Sequence, residues 1–313
     1  MSTTHIAGIL ITFVVLVILA GGLFYDVALE KPESSACDNV ELGPALQNVS
    51  ADSILATVKT LCGHRSRRFT TPGAAAAVGH ITATLRRLGL PVEHHRVDAR
   101  DRHGDTVVVT NVVVPLGPVD DNALIICAHY DSRGEDWLEP APGADDNASG
   151  VAVLLETARV IRDADIEPAV TLVFFGGEED DLIGSRAFAR HLAEKGNSYR
   201  GVINVDMVGY DEHGPRDVVI FTNPQSIPLV TEMWDAALPF SDLVVDTTVT
   251  SMGNSDHAAF WEHALQAVSI WEGYDHNPYH QTREDMPSKL TRGFLEDVTR
   301  WIVAAAVCMS PRQ

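Results

Sequence analysis

Leu124-Ile125-Ile126-Cys127-Ala128-His129-Tyr130-Asp131-Ser132 begins as an apolar run and ends on a histidine and an acid. A short run that is apolar at every position suits a strand buried on both faces. Downstream, residues 149–162 read as a helix, 169–175 as a strand and 182–195 as a second helix. Strands follow near 201–206 and 217–221, then a helix near 226–238. Strands near 243–249 and 267–271 precede a last helix near 290–308. Upstream, 51–62 reads as a helix. Thr71-Pro72 opens another, with Val78, Ile81, Leu85 and Leu88 on one face, and Gly89 stops it. Residues 92–97, 107–114 and 123–127 are short and β-branched, as strands are. Alternation of this kind predicts an α/β protein: helices on both faces of one largely parallel sheet.

No internal repeat or change of composition divides residues 51–313, which read as a single domain. Ahead of it, residues 1–5 form a short flank without Lys or Arg, and 6–25 carry no charge. Twenty residues at about 1.5 Å each reach about 30 Å, the thickness of a bilayer core. The expectation is one uncleaved transmembrane helix over 6–25. A cleaved signal peptide, with Ser34 and Ala36 before Cys37, is the alternative. Residues 26–50 then read as a polar juxtamembrane linker, and the rest lies outside the cytosol, membrane-anchored or released by cleavage. In that setting a Cys37–Cys62 disulfide is expected, with Cys127 and Cys308 as buried thiols. No Cys-x-x-Cys occurs, so a thiolate zinc site has no support.

The 313 residues are 45% hydrophobic and 21% charged, enough to build a core, which excludes a disordered chain. Acidic residues number 43 against 23 basic, a formal net charge of −20. Such a chain repels nucleic acid and anionic lipid surfaces. It suits a site that holds metal cations or receives cationic groups. The tightest basic cluster, Arg65, Arg67 and Arg68, is expected to be a solvated face.

Ligands of open α/β sheets bind beyond the carboxyl ends of the strands. Three strand ends carry metal-type ligands: His129 with Asp131, Glu178 with Glu179, and Asp206. Gly143-Ala144-Asp145-Asp146-Asn147-Ala148-Ser149-Gly150 adds two carboxylates where a helix begins, and Tyr279-His280-Gln281-Thr282 adds a late histidine. Each has a plainer reading. One of Asp145, Asp146 and Asn147 is expected to cap the helix. Glu178-Glu179-Asp180-Asp181, taken alone, is an acidic helix start favoured by the helix dipole. The joint occurrence at one sheet edge favours chemistry instead, with Asp131 steadying His129 as carboxylates steady metal-bound histidines.

These segments, in this order, resemble the ligand motifs of metallopeptidase family 28 of clan MH, as do Gly184-Ser185-Arg186, Ser255-Asp256-His257 and Val205-Asp206-Met207. The resemblance runs over roughly residues 50–310 and five ordered motifs make it specific. It implies a three-layer α-β-α sandwich around a mixed, mostly parallel sheet, and a hydrolase holding two Zn2+. By that resemblance His129 and Asp206 bind one zinc, Glu179 and His280 the other, and Asp146 bridges both. Glu178 is the general base toward a zinc-activated water. Some relatives stabilise the oxyanion with a Tyr before the Ser-Asp-His segment. Here that stretch is Ser251-Met252-Gly253-Asn254, so the role passes to Tyr279 beside His280.

The implied activity is that of an aminopeptidase acting on peptides with a free N-terminus. A glutaminyl cyclase on a similar scaffold is the second reading, and a binding ectodomain the third. All five ligand positions and the base are present, which argues against lost catalysis. The ligands alone do not separate amino- from carboxypeptidase. A carboxypeptidase needs an Arg near the metals, for which Arg133 and Arg283 are the candidates. Ser255-Asp256-His257 is not a triad, because triad members meet in space rather than along the chain. No phosphate loop or dinucleotide fingerprint occurs. Trp234, Trp261 and Trp271 read as packing residues, and Trp137 as a neighbour of the site.

Overall fold

Chain order runs β1 (Val14–Leu19), β2 (Gly22–Val27), α1 (Leu42–Gln47), α2 (Ala51–Cys62), α3 (Pro72–Arg87), β3 (Glu93–Arg100), β4 (Thr106–Pro115), β5 (Leu124–His129) and α4 (Gly150–Asp163). It continues with β6 (Val170–Phe175), α5 (Ile183–Lys195), β7 (Gly201–Val205), β8 (Asp217–Thr222), α6 (Ile227–Ala237), β9 (Val244–Val249), α7 (His257–Trp261), β10 (Ala267–Glu272) and α8 (Arg292–Cys308). The computed structural model describes residues 14–19, 22–27, 37 and 41–310, apart from 101–103, 120–122, 136–139, 197–198, 213, 215, 252 and 274–276.

All ten strands join one sheet in the order β1-β2-β9-β8-β10-β7-β5-β6-β4-β3. β10, β7, β5 and β6 are mutually parallel, and β8 and β9 are parallel to each other. The other pairings are antiparallel, so the sheet is mixed, as expected, but it is not mostly parallel: one parallel run spans β10 to β6 and a separate parallel pair joins β8 to β9. Period-two alternation divides the core. Leu124, Ile126 and Ala128 of β5 join the cluster that contains α2, α4 and α8, whereas Ile125 and Cys127 join Phe188 of α5 and Phe260 of α7. Helices therefore cover both faces, and each fully buried Ile, Leu or Phe contributes roughly 1.5–3 kcal/mol. Predicted element limits lie within a few residues of those observed. β5 runs further than expected and takes His129 as its last residue.

Four expectations are revised. Val14–Leu19 and Gly22–Val27 form an antiparallel hairpin, with Tyr25 opposite Val249 and Asp26 opposite Thr248, where a transmembrane helix was expected. A β-branched apolar run fits a strand as well as a helix, and β9 offers an unpaired edge. The rest of 6–25 lies outside the described residues. Among the described residues no helix is long and apolar enough to cross a membrane. The expected linker contains α1, whose Leu42, Ala45 and Leu46 are buried in the core. Cys37 bonds to Cys308 across a Cα separation of 5.2 Å, and Cys62 is free. That pairing follows from α8 ending beside the N-terminal arm, a tertiary fact with no local signal. Finally, Arg67 is fully buried. It donates from Nε to Tyr130 O at 2.7 Å, from Nη2 to Gly143 O at 2.8 Å, and from Nη1 to Pro142 O. Arg68 is not solvated either, since it grips Asp180 with Nε and Nη2 at 3.1 and 2.6 Å.

Candidate metal centre

The carboxyl ends of β5, β6 and β7 meet at one edge, as the strand polarity requires. His129 closes β5 and is 1% exposed. Two residues on, the buried Asp131 carboxylate accepts the backbone N–H groups of Glu178 and Glu179, each at 3.2 Å. Its Oδ1 lies 3.6 Å from His129 Nδ1, slightly beyond hydrogen-bond length. Asp131 thus holds the Glu178-Glu179 backbone as well as facing the histidine, a task the sequence did not announce.

Asn111, buried in β4, closes the base of the same loop. Its Oδ1 accepts Gly176 N–H at 3.2 Å, and its Nδ2 donates to Gly184 O at 2.9 Å. A Cβ at Gly184 would lie 2.3 Å from Asn111 Oδ1, so glycine is required there. The one signal for Asn111 was a polar residue amid Val107–Val114.

Asp146 stands in the turn 144–149 ahead of α4. Asp285 accepts the N–H groups of Asp145 and Asp146 at 2.9 and 3.1 Å. Asp145 accepts Gly209 N–H at 2.7 Å and Asn277 Nδ2 at 2.8 Å. Asn147 Oδ1 accepts Gly150 N–H at 2.9 Å, so Asn147 supplies the expected cap. With its neighbours fixed in this way, Asp146 has its two oxygens aimed apart. Oδ1 is 3.3 Å from His129 Nε2 and Oδ2 is 3.0 Å from His280 Nε2.

Asp206, just past β7, places Oδ1 3.3 Å from His129 Nε2 and accepts the Ser255 hydroxyl on Oδ2 at 2.5 Å. Asn204 Nδ2 donates to Ser255 Oγ at 2.8 Å, which turns the hydroxyl proton toward Asp206. Glu178 Oε2 is 3.9 Å from His129 Nε2. Glu179 Oε2 is held by Gln281 Nε2 at 3.2 Å and Arg133 Nε at 3.4 Å, while its buried Oε1 has no hydrogen-bond partner. His129, Asp146, Glu178, Glu179, Asp206 and His280 all border one cavity of about 360 Å³.

Burial opposes charge on His129, but the Glu178 and Asp206 carboxylates, with those of Asp131 and Asp146 beside the ring, outweigh it and hold the ring well above its ordinary range. Burial likewise opposes charge on Asp146, and the two histidines overcome it, so its carboxyl stays well below the usual range. Burial lifts Glu178 well above the usual carboxylate range, helped by Asp206, Asp256 and Glu179 and opposed by His129.

Imidazole and carboxylate donors without thiolate fit zinc at open, exchangeable positions. His129, Asp146 and Asp206 converge tightly enough to hold one ion. The orphaned Glu179 Oε1 fits a ligand to a second, beside His280 and Asp146 Oδ2.

Tyr279 does not border the cavity. Its ring meets Tyr210 edge-on at 6.1 Å and lies under Lys289 Nζ at 4.0 Å. Trp271, expected to be packing only, forms part of the cavity wall and donates to Ser269 Oγ at 2.7 Å. Trp137 lies outside the described residues. Ser255-Asp256-His257 makes no triad: Ser255 serves Asp206, and the buried His257 ring meets Trp261 edge-on at 4.6 Å.

Residues 111–306 match the model of Peptidase family M28, and the chain belongs to that family. It is 32% identical over 203 residues to the uncharacterized protein YfbL of Escherichia coli, covering 54% of this chain and 62% of YfbL. To the aminopeptidase YwaD of Bacillus subtilis it is 30% identical over 188 residues, covering 58% of this chain and 39% of YwaD. The chain therefore spans less than two thirds of these relatives' length. In structure it resembles the LapA aminopeptidase of Legionella pneumophila, with a TM-score of 0.74 at 22% identity over 91% of this chain and 78% of LapA. It also resembles the glutaminyl cyclase of Fimbriiglobus ruber, with a TM-score of 0.69 at 22% identity over 84% and 96%. Likeness at these identities speaks for the fold.

Proposed function

We propose that the protein is a two-zinc exopeptidase that removes amino-terminal residues from peptides. The observation that carries this is Asp146, with one oxygen toward His129 and the other toward His280. A carboxylate so placed is suited to bridge two ions. His129 and Asp206 would complete one half-site, and Glu179 and His280 the other. Bound zinc would supply Lewis acidity toward the scissile carbonyl and toward a water. Glu178 acts as general base. Asp131 fixes its backbone, and a carboxyl buried and lifted in affinity for protons suits taking one from water and passing it to the leaving amine. The acidic surroundings favour the protonated N-terminus of a substrate. The oxyanion role expected of Tyr279 finds little support in a ring packed against Tyr210 and Lys289.

The names of YwaD and LapA support the aminopeptidase reading. The test is a mixture of free, N-blocked and Gln-initiated peptides, incubated with zinc-loaded protein and followed by mass spectrometry. Stepwise loss from free N-termini alone, abolished by chelator, is expected. Loss from C-termini, or ammonia loss from Gln peptides as in a cyclase, would overturn it. Glu178→Gln should lower turnover by about 10²–10⁴-fold while metal analysis still finds the wild-type zinc content.

We also place the domain outside the cytosol, which the Cys37–Cys308 disulfide supports. Membrane attachment through 6–25 would require the β1–β2 hairpin to leave the edge of β9, and retention of the full chain in carbonate-washed membranes tests it.

A further inference from the structure

Asn111 ties together both ends of the loop that carries Glu178 and Glu179. Gly176 N–H donates to its Oδ1 at 3.2 Å, and its Nδ2 donates to Gly184 O at 2.9 Å. A backbone N–H only donates and a carbonyl only accepts, so these two contacts settle which end of the amide is which. The amide has a third partner. Its Nδ2 lies 3.1 Å from Nδ1 of His95, the residue directly across the β3–β4 ladder. An amide nitrogen is a donor only, so Nδ1 of His95 must accept. The ring is therefore neutral and carries its proton on Nε2. With one nitrogen protonated and the other given to Asn111, His95 has no lone pair left for a metal, although His191 stands beside it.

A proton on Nδ1 would set N–H against N–H and cost Asn111 an acceptor. The amide relieves that clash only by turning, and turning breaks its hold on Gly176 or Gly184. The surroundings oppose the proton as well. His95 is half-buried, with Phe188 edge-on at 5.5 Å and the His191 ring at 5.3 Å. Burial and the His191 ring lower its affinity for protons from the ordinary 6.5. Glu93 on β3 and Arg190, Glu194 and Lys195 on α5 are exposed, and Val109 and Val113, on either side of Asn111 along the same face of β4, are uncharged.

We propose that neutral His95, acting through Asn111, is a positioning residue for the Glu178-Glu179 loop, and that its protonation loosens that loop in acid. The consequence for turnover rests on the peptidase reading above; the consequence for the loop does not.

The test uses the full chain with zinc present. Long-range proton–nitrogen correlation spectra show which ring nitrogen of His95 bears the proton. At pH 7.5 this should be Nε2, and a proton on Nδ1 overturns the proposal. Hydrogen exchange then follows the Gly176 amide, expressed as a protection factor so that the intrinsic pH dependence of exchange cancels. From pH 7.5 to pH 5 the wild-type factor should fall about tenfold, the scale of one hydrogen bond. His95→Asn keeps an acceptor near Asn111 and does not titrate, so its factor should hold within about twofold over that range. His95→Leu offers no acceptor, so its factor should lie below the wild-type value at pH 7.5 and lack the drop. Equal loss of protection in wild type and His95→Asn, or a His95→Leu factor equal to wild type at pH 7.5, overturns the proposal. The ratio of wild-type to His95→Asn kcat should fall with pH in the same way, with KM changed by less than about twofold. An exchange pattern as stated with no matching change in kcat overturns the positioning role. If none of the three proteins cleaves any peptide while the exchange pattern holds, the peptidase reading alone fails.

Discussion

Arg67 gives the sharpest test of how this site is held. Its guanidinium is fully buried and donates to the carbonyls of Tyr130, Pro142 and Gly143. The first belongs to the segment between His129 and Asp131, and the other two lead into the Asp146 turn. A hydrogen bond from a charged donor contributes about 1.5–3 kcal/mol, so three give a gross effect of roughly 5–9 kcal/mol. Desolvation of the cation opposes this, and water entering the vacated space would recover part of the loss. Arg67→Met, which drops charge and bonds together, should therefore destabilise by about 3 kcal/mol. Arg67→Lys should be worse, about 4–5 kcal/mol, because it keeps a buried charge and cannot reach three carbonyls at once. The assay is urea unfolding at pH 7.5 with chelator present, since bound metal would add its own stabilisation. Tryptophan fluorescence and far-ultraviolet circular dichroism should report one transition with an unchanged slope. A Lys variant within 1 kcal/mol of wild type, or a Met variant less stable than the Lys variant, would refute the reasoning.

Reduction of Cys37–Cys308 opens a loop with a sequence separation of 271 residues, and the chain-entropy argument puts its contribution at about 5 kcal/mol. The Cys37→Ser, Cys308→Ser variant should accordingly unfold at much lower urea, and an unchanged midpoint would count against that stabilisation. His257 supplies an acid limit. Burial pushes its ring down from 6.5 to about 3, so the folded state stays neutral while the unfolded state takes up a proton. Stability from this residue is complete above the unfolded value and is lost as pH falls from 6.5 toward 3, at a slope of up to about 1.4 kcal/mol per pH unit. His257→Leu should flatten that part of the stability–pH curve, and an equally steep curve would show that other groups set it.

The strands and helices were legible because their signals are local. The uninterrupted run 124–128, the turn residues at Gly176-Gly177 and the cap at Asn147 each speak within a few positions. The gathering of these histidines and carboxylates was legible for a related reason: parallel strands share polarity, so residues that follow separate strands land on one edge. What escaped was set by distant partners. Arg67 is buried by carbonyls 63 to 76 residues away, and nothing in His64-Arg65-Ser66 distinguishes it from a solvated cation. The choice of Cys308 over Cys62 depends on where α8 ends. The hairpin at β1 and β2 depends on the edge that β9 presents, since the same apolar residues satisfy helix and strand. Asp131 was recognised as a partner of His129, but its grip on two backbone amides depends on how the β6 loop closes over it.

The bond between Cys37 and Cys308 also separates the shape of the molecule from the order of its segments. Cα atoms 5.2 Å apart can be joined by a linker of one or two residues, at about 3.8 Å per step. New ends could then be cut at Gly196, where the turn after α5 has a left-handed backbone and open space around it. In such a circular permutant His129 and the Glu178-Glu179 pair would come late in the chain and Asp206 and His280 early. The cluster itself would be unaltered, because its geometry belongs to one edge of a sheet and not to the direction in which that edge is read.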